Sequence, residues 1–518
     1  MRKTIIQTGL IMLFAAPVIQ AQEKTDSAMM RKIREEEMAN SQIRTIAHNL
    51  TDVAGPRLTN SPGYKRAVSW AVETLKQWGL QHATAEPWGE FGKGWSTERS
   101  YLAMKEPYYS TLIAYPIAWT NGTSGPVTAP VIMLDKLDSA TIDAHAADIK
   151  GKVVIVKSVE LSNPASFEAQ AHRYSDSALG KLGDAYMLAR KALDYYVPLI
   201  HKKYNTQRYL QAKGAVAVLE ESHGKDGLLF VQGTPAFSKS IPASLPQLVV
   251  GAEDYLRMQR LLADGRNVKV ELDINNKWYT DDLTGHNVIG EIEGTDKKLK
   301  DQVVMIGGHL DSWHSGTGAT DDGAGCIVMM EVVRLLKALH VQPRRTIRIA
   351  LWGAEEEGLL GSFGYVKKHF GDPKDMQLKP EQKNMSAYFN LDNGTGKVRG
   401  IYSQNNTAVE EIFKSWLEPF ADLGATTVTS HNTGSTDHLS FDAVGIPGFQ
   451  FVQDPLDYET LTHHSNMDVF DHLNIDDMKQ AAIIIAAFVY NAAMRDDMLP
   501  RKPLGQSERF LFDTDLPL

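Results

Sequence analysis

Acidic and histidine side chains follow the short apolar runs of this 518-residue chain. The run 303–306, for example, leads through two glycines into His309. In an open α/β sheet, ligands bind beyond the carboxyl ends of the strands, so side chains in such positions are expected to share one site. The candidate residues are His309, Asp311, Asp321, Glu355, Glu356, Asp392 and His464.

This mixture of carboxylate and imidazole suits a pair of divalent cations. Zn²⁺ binds histidine nitrogen and carboxylate oxygen, and a two-metal hydrolase holds its ions about 3.5–4 Å apart. One carboxylate must bridge the ions, each ion needs a histidine and a further carboxylate, and another carboxylate must accept a proton from water. Glu355 and Glu356 are adjacent and point in different directions, so one can bind metal while the other serves as the base.

His309 and Asp311 are separated by one residue at the end of an apolar run. In an extended chain this spacing places both side chains on the same side. The Asp311 carboxylate is therefore expected to accept the imidazole N–H of His309 and to fix its tautomer.

A parallel sheet is needed to bring these residues together, and the sequence after Asn287 has the required alternation of strands and helices. Short apolar runs predict buried parallel strands at 303–306, 347–352, 387–391 and 449–452. Helical spacing is found at 324–340, 362–369, 408–423 and 475–494. The predicted fold class is α/β, with a mixed, mostly parallel central sheet and helices on both faces.

The pattern of residues 126–280 differs from that of the rest of the chain and predicts an inserted β-rich domain. Short apolar runs alternate there with Gly, Asp and Pro, around a long polar insert at about 162–208. Residues 22–125, with two helical patterns, are predicted to form the N-terminal part of the main domain, and residues 281–518 its catalytic part.

Several motifs together resemble one enzyme family. They are Gly307-Gly308-His309-Leu310-Asp311-Ser312-Trp313, Gly318-Ala319-Thr320-Asp321-Asp322-Gly323, Ala354-Glu355-Glu356-Glu357-Gly358, and His464-Ser465 with Asp468. This set resembles metallopeptidase family twenty-eight, the co-catalytic zinc aminopeptidases and carboxypeptidase Q-like enzymes, over nearly the whole chain. The pieces 148–156, 213–218 and Ile241-Pro242 resemble, in that order, the protease-associated domain that carboxypeptidase Q-like members carry as an insert.

The resemblance implies a fold of the zinc-exopeptidase, phosphorylase/hydrolase-like type and a site with two Zn²⁺ ions per chain. In that site Asp321 bridges the ions and Glu355 is the general base, which later acts as the acid toward the leaving amine. One ion is completed by His309 and Asp392, and the other by Glu356 and His464. Asp311 orients His309, and the placement of Asp392 rests on the pattern of a strand followed by an Asp.

The same resemblance implies a substrate and an activity. It indicates an exopeptidase for small peptides or dipeptides, with aminopeptidase and carboxypeptidase action both left open. The protease-associated unit is expected to shape the entrance of the site or to govern association of two copies as a homodimer.

Other reactive side chains near the motifs receive structural interpretations. Asp322 is predicted to cap the helix that follows it, Glu357 to be solvated or at a helix N-terminus, and Cys326 to pack as a small apolar group. His314 and His463 are left outside the metal set, and His438 is interpreted as either pocket-lining or structural.

Composition excludes several classes of protein. Lys and Arg number 54 against 63 Asp and Glu, a net charge of −9, so a nucleic-acid partner is not expected. One cysteine, Cys326, excludes an intrachain disulfide and a cysteine-rich zinc module.

The N-terminus predicts export. Residues 1–21 have a basic start, a short apolar run and a small residue, Ala21, before the expected cleavage point, as in a signal peptide. Because no later segment contains 18 uninterrupted apolar residues, no membrane span is predicted in the mature chain. The predicted location is secreted or periplasmic, and the lack of a disulfide favours a bacterial source.

Two alternatives use the same architecture. One is a non-catalytic binding scaffold like the transferrin receptor, which would be expected to have lost metal ligands. The other is a glutaminyl-cyclase-like acyltransferase with a single zinc ion.

Overall fold

A computed structural model describes residues 25–159, 169–185 and 190–504. The predicted signal peptide, residues 1–21, lies outside these residues. Within the described ranges, no helix combines the length and apolar character needed to cross a bilayer.

The described residues form strands in two large sheets and one short hairpin. In chain order the strands are β1 Gln81–Glu90, β2 Gly94–Glu106, β3 Ser110–Thr111, β4 Ala114–Pro116, β5 Val127–Leu134, β6 Val153–Val156, β7 Ala217–Glu221, β8 Gln247–Val250, β9 Lys269–Tyr279, β10 Thr284–Ile292, β11 Val303–His309, β12 Thr346–Trp352, β13 Gly371–Asp372, β14 Gln377–Leu378, β15 Met385–Asn390, β16 Val398–Tyr402, β17 Thr427–Thr429 and β18 Gly448–Gln453.

The α-helices lie between and around these strands. They are Ser27–Asn40, Ile43–His48, Pro62–Gln77, Ser139–Ala144, Ala146–Ile149, Asp176–Leu179, Arg190–Ala212, Ala252–Ala263, Ala324–Ala338, Leu360–His369, Glu410–Leu417, His438–Asp442 and Ile475–Met494. The shorter π- and 3₁₀-helical turns are Asn49–Val53, Pro235–Phe237, Ala319–Gly323, Pro380–Asn384, Thr407–Val409, Glu418–Leu423, Tyr458–Thr462 and Phe470–His472.

The larger sheet has the order β1-β10-β12-β11-β15-β18-β16-β17. Its four central strands, β12, β11, β15 and β18, are mutually parallel, whereas β1 and β10 are antiparallel to their neighbours. These four are the strands predicted from the apolar runs, so the predicted α/β class with a mixed, mostly parallel sheet is confirmed. Every residue of β11 is buried, as expected for a parallel strand covered on both faces.

Helices supply that cover. On one face, Ala324–Ala338 and Ile475–Met494 pack together over Val304 and Ile306 with the N-terminal helices. On the other face, Leu360–His369 and His438–Asp442 cover Met305. Neighbouring residues of β11, such as Val304 and Met305, therefore pack into different apolar cores, because successive side chains of a strand point to opposite faces.

The smaller sheet is built from chain inserted between β1 and β10 of the larger one. Its order is β3-β2-β9-β5-β6-β7-β8-β4, and β5 to β8 are parallel neighbours. It draws on strands from Gly94 to Tyr279, so it includes three strands, β2 to β4, that precede the predicted boundary at 126. A separate apolar core, with Val153, Leu219 and Leu248 among its members, lies within it.

Candidate active site

Neighbouring parallel strands deliver most of the candidate residues to one edge of the larger sheet. His309 is the last residue of β11, Glu355 and Glu356 lie in the turn after β12, and Asp392 follows β15. Because β12, β11 and β15 are parallel neighbours, their carboxyl ends meet at this edge. Asp321 reaches it from the turn before the helix that follows β11.

One half of the site surrounds the imidazole of His309. Its Nε2 atom lies 3.4 Å from Oδ1 of Asp321, 3.6 Å from Oδ1 of Asp392 and 3.8 Å from Oε2 of Glu355. Three carboxylates therefore converge on one imidazole nitrogen, and His309 itself is 1% exposed.

The other half surrounds His464, which lies in the loop after β18. Its Nε2 atom lies 3.3 Å from Oδ2 of Asp321 and 3.1 Å from Oε2 of Glu356. The two carboxylate oxygens of Asp321 therefore face different histidines, Oδ1 toward His309 and Oδ2 toward His464.

The donor set and its unpaired oxygens fit divalent cations. Oδ2 of Asp321 and Oε1 of Glu356 are buried and have no hydrogen-bond partner among the described residues. Leaving one such buried acceptor unsatisfied costs about 1–3 kcal/mol, and more when it is charged. Histidine nitrogen and carboxylate oxygen are the ligands that zinc takes. Both unpaired oxygens belong to residues of the half around His464, and a cation there would satisfy them.

His463, which sequence reasoning left out, lies at the edge of the second half. Its Nε2 atom is 3.9 Å from Oδ2 of Asp321, so a cation beside Asp321 and His464 would have this second imidazole within reach. Its Nδ1 atom lies 3.8 Å from Glu459. The ring of His464 is closer to Asp321, and it alone contacts Glu356.

Burial dominates the electrostatics of the glutamate pair. It raises the pKa of both Glu355 and Glu356 well above the usual range, and neighbouring carboxylates add to this effect. For Asp321, burial also raises the pKa, but the hydrogen bond to His309 and the nearby charges of His464 and His463 outweigh burial and lower it. The site thus crowds carboxyl groups in a place that water does not screen, so that burial favours the neutral form of the two glutamates until a cation compensates their charge.

Asp311 makes a different contact from the expected one. The Nδ1 atom of His309 lies 3.0 Å from the backbone carbonyl oxygen of Asp311, and 3.7 Å from its Oδ1. The carboxylate instead accepts hydrogen bonds from the backbone N–H groups of Glu355, at 3.1 Å, and Glu356, at 3.2 Å. The backbone of Asp311 therefore orients the imidazole, and its side chain holds the turn that carries the glutamate pair.

Asp322 caps the following helix, as predicted. Its Oδ1 atom accepts from the N–H of Gly325 at 2.9 Å, and its Oδ2 atom accepts from the backbone N–H of His309 at 3.1 Å. A Cβ atom at Gly308 would lie 2.3 Å from Oδ2, so the carboxylate needs glycine at this position of β11.

Three further residues that sequence reasoning gave no role hold Asp321 and its loop. The Tyr458 hydroxyl donates to Oδ1 of Asp321 at 2.9 Å. The buried guanidinium of Arg57 donates to backbone carbonyls of the loop 310–318 between His309 and Asp321. The Asp468 carboxylate accepts from the backbone N–H of Asp321 at 3.3 Å. Asp468 lies in one of the family-like motifs, whereas Tyr458 has no local sequence signal.

Of the two interpretations of Glu357, the solvated acid is wrong, whereas its position just before the helix Leu360–His369 agrees with an acid at a helix N-terminus. Glu357 is 8% exposed, and its Oε2 atom accepts from the Thr59 hydroxyl at 3.0 Å. Glu357 is covered by the N-terminal segment that carries Thr59, which the local sequence could not indicate.

Two histidines near the motifs are buried and hydrogen-bonded to backbone. The His314 ring contacts the carbonyl oxygen of Pro116, and the His438 ring contacts that of Thr433. Burial lowers the pKa of each to about 4. Cys326 is also buried, as predicted, and its thiol donates to the carbonyl oxygen of His309.

A cavity of about 500 Å³ opens beside His463 and His464. Its other walls belong to the inserted chain and combine apolar and polar side chains. Those that the described residues supply include Ile117, Lys203, Gln207, Glu220, Phe230 and Val249. A concave space of this size beside convergent polar groups is typical of a small-ligand site.

Comparison with known proteins identifies relatives of this architecture. The family model described as Peptidase family M28 matches residues 287–489, a range that contains all seven candidate residues. Carboxypeptidase Q of Pongo abelii is 28% identical over 456 residues, which cover 87% of this chain and 85% of that protein.

Solved structures share the fold. A peptidase M28 precursor from Shewanella amazonensis has a TM-score of 0.66 at 24% identity, covering 92% of this chain and 99% of that one. A zinc aminopeptidase from Bacillus subtilis has a TM-score of 0.55 at 20% identity, covering 90% of this chain and 98% of that one.

Proposed function

We propose that the chain, whose residues 287–489 match the model of Peptidase family M28, is a di-zinc exopeptidase that hydrolyses terminal peptide bonds of small peptides or dipeptides. The observation that carries this proposal is the bifurcated geometry of Asp321, whose two oxygens face His309 and His464 at 3.4 and 3.3 Å. A carboxylate placed between two imidazoles in this way is suited to bridge two cations.

The proposed ligand set divides into two halves. His309 and Asp392 hold one zinc ion, Glu356 and His464 hold the other, and Asp321 is shared. When bound, the ions lower the pKa of water and polarise the scissile carbonyl. The zinc aminopeptidase among the structural neighbours supports the choice of metal.

Glu355 is the proposed general base. Its Oε2 atom points toward His309 at 3.8 Å, so it lies beside the first half without being needed as a ligand there. This atom takes the proton of the attacking water and returns it to the leaving nitrogen. Asp311 holds the backbone of Glu355 in position for both steps.

A covalent thioester route does not fit the chain. Its one cysteine, Cys326, is buried, and burial raises the pKa of its thiol well above the usual range. A neutral thiol that already donates to the His309 carbonyl cannot serve as a nucleophile. Direct attack by water is therefore the proposed course.

The peptide substrate is proposed to occupy the cavity beside His464. The cavity joins the second half of the site to the inserted sheet, so the residue on one side of the scissile bond would contact inserted chain. Carboxypeptidase Q, an exopeptidase by name, supports action at a chain end. Export to a secreted or periplasmic location is part of the same proposal, on the sequence of residues 1–21.

A digest of a dipeptide library, with and without chelator, tests the proposal together with zinc analysis of the purified chain. We expect hydrolysis that is lost with chelator and restored by zinc, at two ions per chain. A chain with one zinc ion that cyclises N-terminal glutamine would instead support an acyltransferase. A chain that binds zinc and turns over no peptide would support a binding scaffold.

A further inference from the structure

A short segment of the inserted chain runs alongside the loop that carries His464. The Val231 N–H donates to the carbonyl oxygen of His464 at 3.1 Å, and Phe230 forms a β-bridge with Ser465. Leu229 exchanges hydrogen bonds with Asn466: its N–H donates to the side-chain oxygen at 2.8 Å, and its carbonyl accepts from the N–H at 3.1 Å. These contacts fix the backbone of the loop against residues more than 230 positions earlier in the chain.

The next residue of this segment, Gln232, reaches the imidazole itself. The Nε2 atom of its side-chain amide lies 3.1 Å from Nδ1 of His464. The opposite ring nitrogen, Nε2, faces Glu356 and Asp321. Gln232 therefore contacts the ring nitrogen of His464 that does not point into the site.

The tautomer of His464 determines what Gln232 must offer. An imidazole whose Nε2 lone pair faces a cation carries its hydrogen on Nδ1, so the partner of Nδ1 has to be an acceptor. A primary amide presents either its nitrogen or its oxygen from nearly the same position, by rotation about its terminal bond. In the metal-bound chain, Oε1 of Gln232 would accept the Nδ1–H hydrogen bond.

We propose that Gln232 is a positioning residue for the zinc ligand His464, and that the inserted domain thereby completes the metal site. This inference rests on the proposed function, because it takes His464 as a zinc ligand. Acceptors for the second nitrogen of a metal-bound histidine fix its ring orientation, and their loss typically weakens metal binding by about 10–100-fold.

Gln232 also distinguishes between two adjacent histidines. The rings of His463 and His464 lie in contact, with centroids 3.8 Å apart, and both Nε2 atoms are within 4 Å of Asp321. The Nδ1 atom of His463 faces the partly exposed Glu459 at 3.8 Å, beyond hydrogen-bond distance. Hydrogen bonding to Gln232 therefore favours His464 as the residue that faces the shared carboxylate.

The test compares zinc affinity in the full chain with Gln232→Leu, which removes the acceptor, and Gln232→Glu, which keeps one. Lys203→Met is the matched control, because Lys203 lines the same cavity but pairs with Glu220. Zinc dissociation constants are measured by chelator competition, together with the melting temperature of each metal-free chain. Because Gln232 is exposed to the cavity, we expect the low end of the range, about tenfold weaker binding of one of the two ions in Gln232→Leu.

Gln232→Glu and Lys203→Met are expected to bind both ions with the affinity of the parent. All metal-free chains are expected to have the same melting temperature. A Gln232→Leu chain that binds both ions with parental affinity would overturn the inference and leave the proposed function intact. A Gln232→Glu chain whose zinc affinity is as low as that of Gln232→Leu would also overturn the inference. A parent chain that binds no zinc would overturn the proposed function itself.

Discussion

The Oδ1 atom of Asp311 accepts a hydrogen bond from the backbone N–H of Glu355 at 3.1 Å. Its Oδ2 atom accepts in the same way from the next residue, so one carboxylate holds both backbone amides of the glutamate pair. The proposed base and a proposed metal ligand thus share one support, which connects the end of β11 with the end of β12. A change in this support is expected to disturb both functions of the pair.

Replacing Glu355 by Gln is expected to abolish peptide hydrolysis and leave zinc bound. Gln has nearly the same shape but cannot accept the proton of the attacking water, so kcat should fall at least about 10²-fold. Turnover of dipeptides and zinc content of the same preparation provide the measurement. Glu35→Gln, on an exposed helical turn, serves as the control. Near-parental kcat with full zinc occupancy would show that another residue is the base.

Replacing Asp311 by Asn is expected to lower kcat about tenfold or more. Asn offers one acceptor oxygen, so its NH₂ group must face one of the two backbone N–H groups of the turn. Measurements of kcat and of zinc affinity on the same preparation test this expectation. If kcat and zinc affinity both stay parental, the carboxylate does not position the glutamate pair.

The two halves of the site are expected to lose their metal separately. Replacing Asp392 by Asn removes a ligand beside His309, and replacing His464 by Ala removes the imidazole of the other half. Each variant should bind one zinc ion where the parent binds two, as metal analysis of the dialysed protein can show. The exposed His48→Ala variant should bind like the parent. Loss of both ions, or of neither, in both variants would contradict the division into halves.

Cys326 is expected to be inert to alkylation in the folded chain. It is fully buried, and burial raises the pKa of its thiol well above the usual range, so the reactive thiolate does not form. Iodoacetamide should leave dipeptide hydrolysis unchanged, and mass spectrometry should find the thiol modified only after denaturation. Rapid modification with loss of activity would contradict the observed burial.

Stability is expected to fall with rising pH because of a buried carboxyl outside the candidate site. Glu37 is fully buried beside Glu331, and burial together with that neighbour raises its pKa from about 4.5 to about 9. Between these values the folded chain binds more protons at Glu37 than the unfolded chain. The free energy of unfolding should therefore fall with rising pH across this window, by at most about 1.4 kcal/mol per pH unit.

Replacing Glu37 by Gln should remove that contribution and raise the free energy of unfolding at pH 8 by about 1 kcal/mol or more. Denaturant unfolding between pH 5 and 9 measures it, with the exposed Glu35→Gln variant as the matched control. A Glu37→Gln chain as pH-dependent as the parent would show that Glu37 does not titrate in this range.

The sequence by itself determined the fold class and indicated seven residues of the candidate site. Parallel strands covered on both faces are apolar throughout, so β11, β12, β15 and β18 are visible as short runs such as 303–306. A parallel sheet brings the carboxyl ends of its strands together, so residues just after those runs, such as His309 and Glu355, could be expected at one edge.

Tertiary structure alone decided the partners of those residues. Local spacing indicated that Asp311 would face an imidazole, but its carboxylate faces backbone amides 44 and 45 positions away. The hydroxyl of Tyr458 on Asp321 and the amide of Gln232 on His464 join residues 137 and 232 positions apart. Such contacts depend on how two sheets and their loops pack together. A periodic pattern records which face of an element is buried, and it does not record which distant group meets it there.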